Sequence, residues 1–310
     1  MHDNPGHART GLWLAFAAAI VSGVAVFVNS YGVRAVPDAT VYTTAKNLVA
    51  ATILIGLFAG DARLRRPPRV SAASMAGLAA VAVIGGSIPF VLFFEGLSRA
   101  SSSQTAFIQK TLVVWVALLA VPLLGERLGP LHFVAIGTLM VGQAVLAGGL
   151  DGLRFGTGEW LVLTATLLWA VEVVIARRLL HDLPADLLAA ARMSGGVVLL
   201  LGWVALSGHW HALAGMRLTE WAWAGLTGLI LAVYVALWFT ALALAPAVDV
   251  TAVLVLAAFI TGALNIAVKG APTTTATTVG LTTVVVGTAL AFLAARRRAP
   301  VKAAPVKAAA

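Results

Sequence analysis

Ten apolar stretches follow one another along this chain, separated only by short connections. Each is roughly 20 residues long, the length at which an α-helix crosses the hydrocarbon layer of a bilayer. With proline, glycine and charged clusters as boundaries, the predicted helices span about 11–33, 40–60, 73–97, 102–121, 131–149, 158–178, 186–207, 220–243, 248–267 and 275–295. The sequence therefore predicts an all-α integral membrane protein with ten transmembrane helices.

Composition excludes the other broad classes of protein. Of the 310 residues, 60% are hydrophobic and 11% charged, against about 45–50% and about 25% in soluble domains. The net charge of +9 does not indicate nucleic-acid binding, because the basic residues lie between and after the apolar stretches and form no face with interleaved aromatic residues. The first stretch is too long for the apolar region of a signal peptide, so we expect it to be retained.

The distribution of Lys and Arg predicts the orientation. The termini and the connections predicted on one side of the membrane carry 13 of the 21 basic residues, and the connections on the other side carry 5. Lys and Arg are retained on the cytoplasmic side. The richer side includes Arg9 and Arg127, and the poorer side includes Arg34 and Lys269. We therefore predict a protein of the plasma (inner) membrane with both termini in the cytoplasm.

The two halves of the chain resemble each other. An offset of 147 residues places Trp13 on Trp160, and an offset of 145 places Gly125 on Gly270. Each half holds five predicted helices, and an odd number requires that the second half enter the membrane from the opposite face. The predicted organisation is a cytoplasmic segment at 1–10, two inverted five-helix repeats at 11–150 and 157–295, and a disordered basic cytoplasmic tail at 296–310.

Inverted repeats are typical of secondary transporters, in which the solute site lies near the midplane between the halves. A receptor or a membrane enzyme has no comparable need for this symmetry. The repeats therefore favour a carrier that exposes one site alternately to each side of the membrane.

A longer motif carries a family resemblance. The segment FFEGLSRASSSQTAFIQKTLVVWVALLAVPLLGERLGPLHFVAIGTLMVGQAVLAG, from Phe93 to Gly148, resembles the EamA family of the drug/metabolite transporter superfamily. The resemblance implies a ten-helix transporter of inverted topology, usually an exporter of amino acids, other metabolites or drugs. One departure is that LLGERL around Glu126 is matched by VKGAPT around Gly270, so the second glutamate is absent. A structural role at a helix end is expected for Glu126.

Ionisable side chains inside a membrane are costly, so each is a candidate for function. Lys110 is the strongest, because eight residues, or about 12 Å, separate it from the helix start near Ser102 and place it close to the midplane. Its partner is Glu172, Glu95 or the solute itself. The alternative is a buried ion pair with Glu172 that only joins two helices.

Two further basic residues occupy related positions in the halves. The offset of 147 places Arg192 on Ala45, next to Lys46. One of them is expected to line each vestibule and attract an anionic group of the solute. In the alternative interpretation, their long side chains reach the nearest membrane surface and contact headgroups.

Glu172 is the candidate for coupling to a proton gradient, because a carboxyl group in apolar surroundings can take up a proton near neutrality. Charge balance with Lys110 or Arg177 is the alternative. Gln104, Gln109 and Asn29 are expected to supply hydrogen bonds to the solute, or between helices. Trp169, Trp238 and Phe94 are expected to form an aromatic wall, and Gly85–Pro89 is expected to interrupt the third helix.

Signals for other chemistry are missing from the sequence. It has no phosphate-binding loop, nucleophile elbow or paired-histidine metal motif, and no cysteine. We therefore expect no enzymatic activity, no cofactor and no metal. The expected partners are a small-molecule substrate and membrane lipid, with a monomer or homodimer as the working unit. The alternatives to a carrier are a passive channel or facilitator and a non-transporting membrane protein.

Overall fold

A computed structural model of the chain describes residues 5–36, 38–60, 70–149 and 155–297. These residues form helices and their connections, with no β-strand among them. The helices are α1 (Pro5–Ala35), α2 (Ala39–Gly60), α3 (Ala72–Ile84), α4 (Ile88–Arg99), α5 (Ser102–Lys110), α6 (Leu112–Leu124), α7 (Pro130–Leu146), α8 (Thr157–Leu179), α9 (Ala185–Leu206), α10 (Trp210–Ala214), α11 (Leu218–Leu244), α12 (Ala247–Leu254), α13 (Ala257–Lys269) and α14 (Thr275–Arg296). The basic connection at 61–69 and the tail beyond 297 lie outside the described residues.

Nine segments of the described chain are long and apolar enough to cross a membrane. They correspond to α1, α2, α3 with α4, α5 with α6, α8, α9, α11, α12 with α13, and α14. At the remaining predicted position lies α7, a shorter apolar helix. Large apolar side chains such as Leu57, Phe133 and Val198 are exposed on the outside of the bundle, as expected where helices face lipid.

The longest departure from the predicted helix ends is at the start of the chain. The first helix begins at Pro5 rather than near residue 11, and proline is tolerated in the first turn of a helix. The Thr10 hydroxyl donates to the Gly6 carbonyl oxygen at 3.0 Å within this added turn. A short helix, α10, also lies in the loop that contains His209 and His211.

Three of the predicted spans are broken rather than continuous. The first break, at Gly85–Ser87, was predicted from its glycines and Pro89. The Ser87 hydroxyl there donates to the carbonyl oxygens of Ala82 and Val83 at 3.2 and 3.0 Å. The other two breaks separate α5 from α6 and α12 from α13, where the sequence prediction of continuous helices was wrong.

The two unexpected breaks occupy equivalent positions in the repeats. The offset of 145 places the start of α5 on the start of α12, and the end of α6 on the end of α13. Both broken spans end at a glycine in the left-handed region, Gly125 with φ 68° and Gly270 with φ 64°. The same offset relates the first residues of α7 and α14, Pro130 and Thr275.

Contacts between the halves come in matching pairs. Helix α1 packs on α11 as α8 packs on α4, whereas α2 packs on its own counterpart α9. Gly11 lies against Ala245, and its counterpart Gly158 lies against Ala100. Because glycine has no Cβ, the helix backbones approach closely at both places.

Helix α7 lies against its counterpart α14 along much of its length. Gly142 contacts Val284, and Gly287 contacts Leu139. Residue number rises along one helix as it falls along the other, so the two helices run antiparallel. The offset of 145 relates Gly142 to Gly287 and Leu139 to Val284, so each of the two contacts is the equivalent of the other.

Candidate functional site

The described residues line a partly open cavity of about 230 Å³ between the two halves. Residues beside both unexpected helix breaks line it, among them Lys110 and Leu112 at one break and Leu254 and Val255 at the other. Its further lining residues come from the same broken spans and from α1, α4, α8, α9 and α11, and are Ser22, Phe90, Phe93, Phe94, Gln109, Val113, Trp169, Glu172, Val173, Arg192, Leu231, Tyr234, Val235, Trp238 and Thr251. Both repeats therefore contribute to one chamber.

A buried ion pair forms part of the cavity wall. Arg192 Nε donates to Glu172 Oε1 at 2.6 Å, and only 11% and 5% of the two side chains is exposed. Arg192 Nη2 also donates to the Gly85 carbonyl oxygen at 2.9 Å, and Trp169 Nε1 donates to the same oxygen at 3.2 Å. The first helix break leaves the Gly85 carbonyl oxygen without a partner in its own helix. Arg192 and Trp169 donate to it instead.

The observed ion pairs differ from the pairings suggested by the sequence. Glu172 is bound to Arg192 and not to Lys110 or Arg177. Arg192 is buried beside the cavity, so its side chain does not extend to the membrane surface. Glu95, the other suggested partner for Lys110, instead pairs with Arg99 at an exposed helix end.

Lys110 lines the cavity at the last residue of α5. Among the described residues, none forms an ion pair or a side-chain hydrogen bond with its ammonium group. Gln109 precedes it and also lines the cavity. Lys110 and Gln109 place a charge and an amide beside the break at Thr111, between α5 and α6. The Thr111 hydroxyl donates to the Ile108 carbonyl oxygen at 2.6 Å.

Lys46 and Asn29 belong to a second polar cluster, outside the cavity lining. Lys46 Nζ donates to Asn29 Oδ1 at 3.2 Å, and the Tyr42 hydroxyl lies 2.9 Å from both this oxygen and Thr227 Oγ1. The ammonium group also lies 5.7 Å from the ring centroid of Phe94, which lines the cavity. Lys46 is therefore buried one side chain behind the cavity wall and does not extend to the membrane surface.

The apolar part of the wall is aromatic. The ring of Trp169 lies 5.6 Å from those of Phe90 and Phe93, and Tyr234 stacks on Trp238 at 6.3 Å. Sequence reasoning selected the two tryptophans and Phe94, which also lines the cavity, but not Phe90, Phe93 or Tyr234. Spacing along α11 was an available signal, since Tyr234 lies one helical turn before Trp238 on the same face.

Five of the eight residues predicted for the solute site come together in this cavity: Lys110, Glu172, Arg192, Trp169 and Trp238. Lys46, Asn29 and Gln104 do not line it. Gln104 lies in the first turn of α5, where its backbone N–H donates to the Ser101 hydroxyl at 3.3 Å. In the described part of the chain, no three His, Asp or Glu side chains are grouped so as to hold a metal ion.

Glu126 caps a helix of the opposite repeat. Its carboxylate accepts from the backbone N–H groups of Ala247 and Val248 at 2.5 and 3.2 Å, at the first turn of α12. Carboxylates stabilise helix N-termini, where N–H groups lack partners and the helix dipole is positive. A structural role was expected for this residue, and the contact supplies one.

The family model for EamA-like transporters matches the chain twice, at residues 9–148 and 156–293. The chain belongs to this family. The two matches coincide with the two halves recognised from the sequence and together cover most of its length. The suspected EamA membership is thereby confirmed, as is the description of the chain as a membrane protein with multiple transmembrane helices.

Other comparisons add information on the fold alone. This EamA chain is similar to a protein known from a crystal structure whose description names no function, with 20% sequence identity and a TM-score of 0.74. The likeness covers 93% of this chain and 98% of the other. No curated protein matches the sequence.

Proposed function

We propose that this chain is a secondary transporter that moves a small organic metabolite across the plasma membrane by alternating access. The observation that carries the proposal is the cavity between the repeats, lined on two sides by breaks at equivalent positions of α5–α6 and α12–α13. Discontinuous helices of this kind surround the solute sites of secondary transporters. A volume of about 230 Å³ suits a solute smaller than the ligands of typical drug-binding pockets, which occupy about 300–1,000 Å³.

Ten transmembrane segments in two inverted five-helix repeats complete the proposed architecture, with α7 as the tenth segment. The antiparallel contact of α7 with α14 supports the inversion, because each of its contacts is converted into the other when the repeats are exchanged. The reciprocal contacts of Gly11 and Gly158 point the same way. Both termini are proposed to be cytoplasmic, and the proposed direction of transport is export.

The proposed site assigns different roles to the predicted residues. Lys110, Trp169 and Trp238 contact the solute, and the Glu172–Arg192 pair forms part of the wall. Lys46 and Asn29 support Phe94 from behind, and Gln104 acts at the start of α5. Proton coupling through Glu172 would require the pair with Arg192 to open during the cycle. One chain supplies the whole cavity, so a monomer suffices as the working unit, alone or within a homodimer.

Reconstitution into proteoliposomes tests the transport proposal. Uptake and counterflow are measured for a panel of labelled amino acids, organic cations and organic anions, with wild type, Lys110→Ala and Lys269→Ala. Lys269 is the matched control, because it is an exposed lysine at the end of α13 and does not line the cavity. A carrier gives saturable counterflow that Lys110→Ala reduces and Lys269→Ala retains.

Two other outcomes correspond to the alternatives. Flux that neither saturates nor shows counterflow would indicate a passive channel or facilitator. The absence of flux across the whole panel, from protein that remains folded, would favour a non-transporting membrane protein.

A further inference from the structure

Charges at the cavity do not balance. The lining contains three side chains that are charged at neutral pH, namely Lys110, Glu172 and Arg192. Glu172 and Arg192 neutralise each other at 2.6 Å, whereas Lys110 has no carboxylate partner among the described residues. The wall therefore carries one net positive charge.

Lys46 adds to this imbalance. It is buried, its hydrogen-bond acceptor is the uncharged Asn29, and its ammonium group lies 5.7 Å from the Phe94 ring. No carboxylate of the described residues pairs with it. Two cations without a carboxylate partner thus lie in or just behind the lining of one cavity, in surroundings where screening by water is weak. Such a chamber attracts anions and repels cations.

The repeats place polar and apolar groups unequally around the cavity. The offset of 145 relates Gln109 to Leu254 and Lys110 to Val255, and all four residues line the chamber. In each pair the first repeat supplies the polar side chain and the second repeat the apolar one. The helices of the two repeats are arranged symmetrically, but the side chains that line the cavity are not. The charged end of the site lies beside α5.

The remainder of the wall suits a flat apolar group. Phe90, Phe93, Trp169, Tyr234 and Trp238 all line the cavity, in two groups of contacting rings. Aromatic faces bind planar apolar groups through stacking and edge contacts. The lining offers no unpaired carboxylate for an ammonium group, because Glu172 already binds Arg192.

From these features we infer that the solute is a small organic anion, a carboxylate or a similar acid with one aromatic or apolar body and no ammonium group. This inference rests on the proposed function and narrows it to one class of substrate. Lys110 and Gln109 bind the acidic group, and the aromatic wall holds the body. Zwitterions and cations are disfavoured because their ammonium group would lie near Lys110 without a counter-charge.

Binding to the purified full-length chain tests the charge preference separately from transport. The probes are 3-phenylpropionate, phenylalanine and phenethylamine, which share a ring and a two-carbon chain but differ in charge. Isothermal titration calorimetry is performed in an uncharged detergent at neutral pH and low salt. We expect 3-phenylpropionate to bind about tenfold more tightly than the other two, as a charge-assisted hydrogen bond would provide.

Variants of Lys110 identify the group responsible. Lys110→Gln should weaken binding of 3-phenylpropionate about tenfold and leave phenethylamine no weaker. Lys110→Arg should keep the preference for the anion, and Lys110→Glu should reverse it towards the amine. Lys269→Gln is the control that removes an equal charge from an exposed helix end, and it should leave the preference unchanged.

The outcomes separate this inference from the transport proposal. Equal or tighter binding of phenylalanine or phenethylamine overturns the inference, as does no binding of any probe at millimolar concentration by folded protein. Counterflow of labelled 3-phenylpropane-1-sulfonate, which does not cross lipid as a neutral acid, then tests transport of the anion. Anion-selective binding without counterflow supports the inference and contradicts the carrier; counterflow of amines alone supports the carrier and overturns the inference.

Discussion

Arg192 of α9 binds Glu172 of α8 through a 2.6 Å hydrogen bond between Nε and Oε1, and also reaches the Gly85 carbonyl oxygen at the break between α3 and α4. One guanidinium group therefore joins two helices of the second repeat to the broken span of the first. Both side chains are buried, so each charge depends on the other for compensation. The pair links the wall of the cavity to the interface between the repeats.

Replacing one member of this pair should lower the stability of the protein more than replacing both charged side chains. Arg192→Met leaves the Glu172 carboxylate buried without compensation, and we expect a loss of about 3–5 kcal/mol of stability. The double variant Arg192→Met with Glu172→Gln should recover much of that loss. Unfolding in mixed detergent and dodecyl sulfate measures both. Equal losses in the single and double variants would contradict the compensation argument.

Glu126 should contribute to stability through the N-terminus of α12. Glu126→Ala removes the acceptor for the N–H groups of Ala247 and Val248, and loss of such a cap costs about 1–2 kcal/mol. The control is Glu95→Ala, which removes a carboxylate from an exposed pair with Arg99 and should have little effect. Thermal unfolding followed by circular dichroism compares them, and equal shifts in the two variants would refute the capping role.

The same contact gives a physical reason for the missing second glutamate. At the start of α5, the counterpart of α12, the Ser101 hydroxyl accepts from the Gln104 N–H. The equivalent residue before α12 is Pro246, which forms no side-chain cap. A carboxylate from the other repeat is thus used where the local cap is absent, and Ala271 occupies the position equivalent to Glu126.

The close packing of α7 on α14 leads us to expect that a larger side chain at their contact disrupts the fold. A Cβ at Gly142 would lie 2.9 Å from a Val284 methyl carbon and 3.1 Å from the Gly280 carbonyl oxygen. Gly142→Val should therefore separate the helices and lower the yield of monodisperse protein on size-exclusion chromatography. Gly137→Val, on the same helix but with nothing within 4 Å, should be tolerated. Normal yields from both variants would contradict the proposed interface.

The length of the apolar stretches predicted most of the helices, because a helix needs about 20 residues to cross a bilayer. The breaks at Thr111 and at Val255–Leu256 were not predictable, since neither contains the Gly-Pro combination that marks Gly85–Pro89. The Thr111 hydroxyl donates to the Ile108 carbonyl oxygen at the first of these breaks. The Ser30 hydroxyl makes the same bond to the Phe27 carbonyl oxygen inside the continuous helix α1, so a Ser or Thr in the sequence does not mark a break.

The candidate site was predictable in part. Charged residues within apolar stretches are rare, so Lys110, Glu172 and Arg192 were found from sequence alone. Which of them pair could not be predicted, because Glu172 and Arg192 lie on different helices whose facing sides depend on packing. Phe94 of α4 was also selected, but Phe90 and Phe93 of the same helix were not, because they resemble lipid-facing residues until the neighbouring helices are placed.

Cysteine labelling should establish the orientation of the chain. The sequence contains no cysteine, so an introduced thiol is the sole target of a maleimide. His181 lies in the turn between α8 and α9, Thr273 lies just before α14, and both are exposed. The charge distribution predicts that His181→Cys faces the cytoplasm and Thr273→Cys the outside. A membrane-impermeant maleimide applied to intact cells should therefore label Thr273→Cys directly and His181→Cys only after permeabilisation. The reverse pattern would place both termini outside. Labelling of both variants in intact cells would contradict their placement on opposite sides of the membrane.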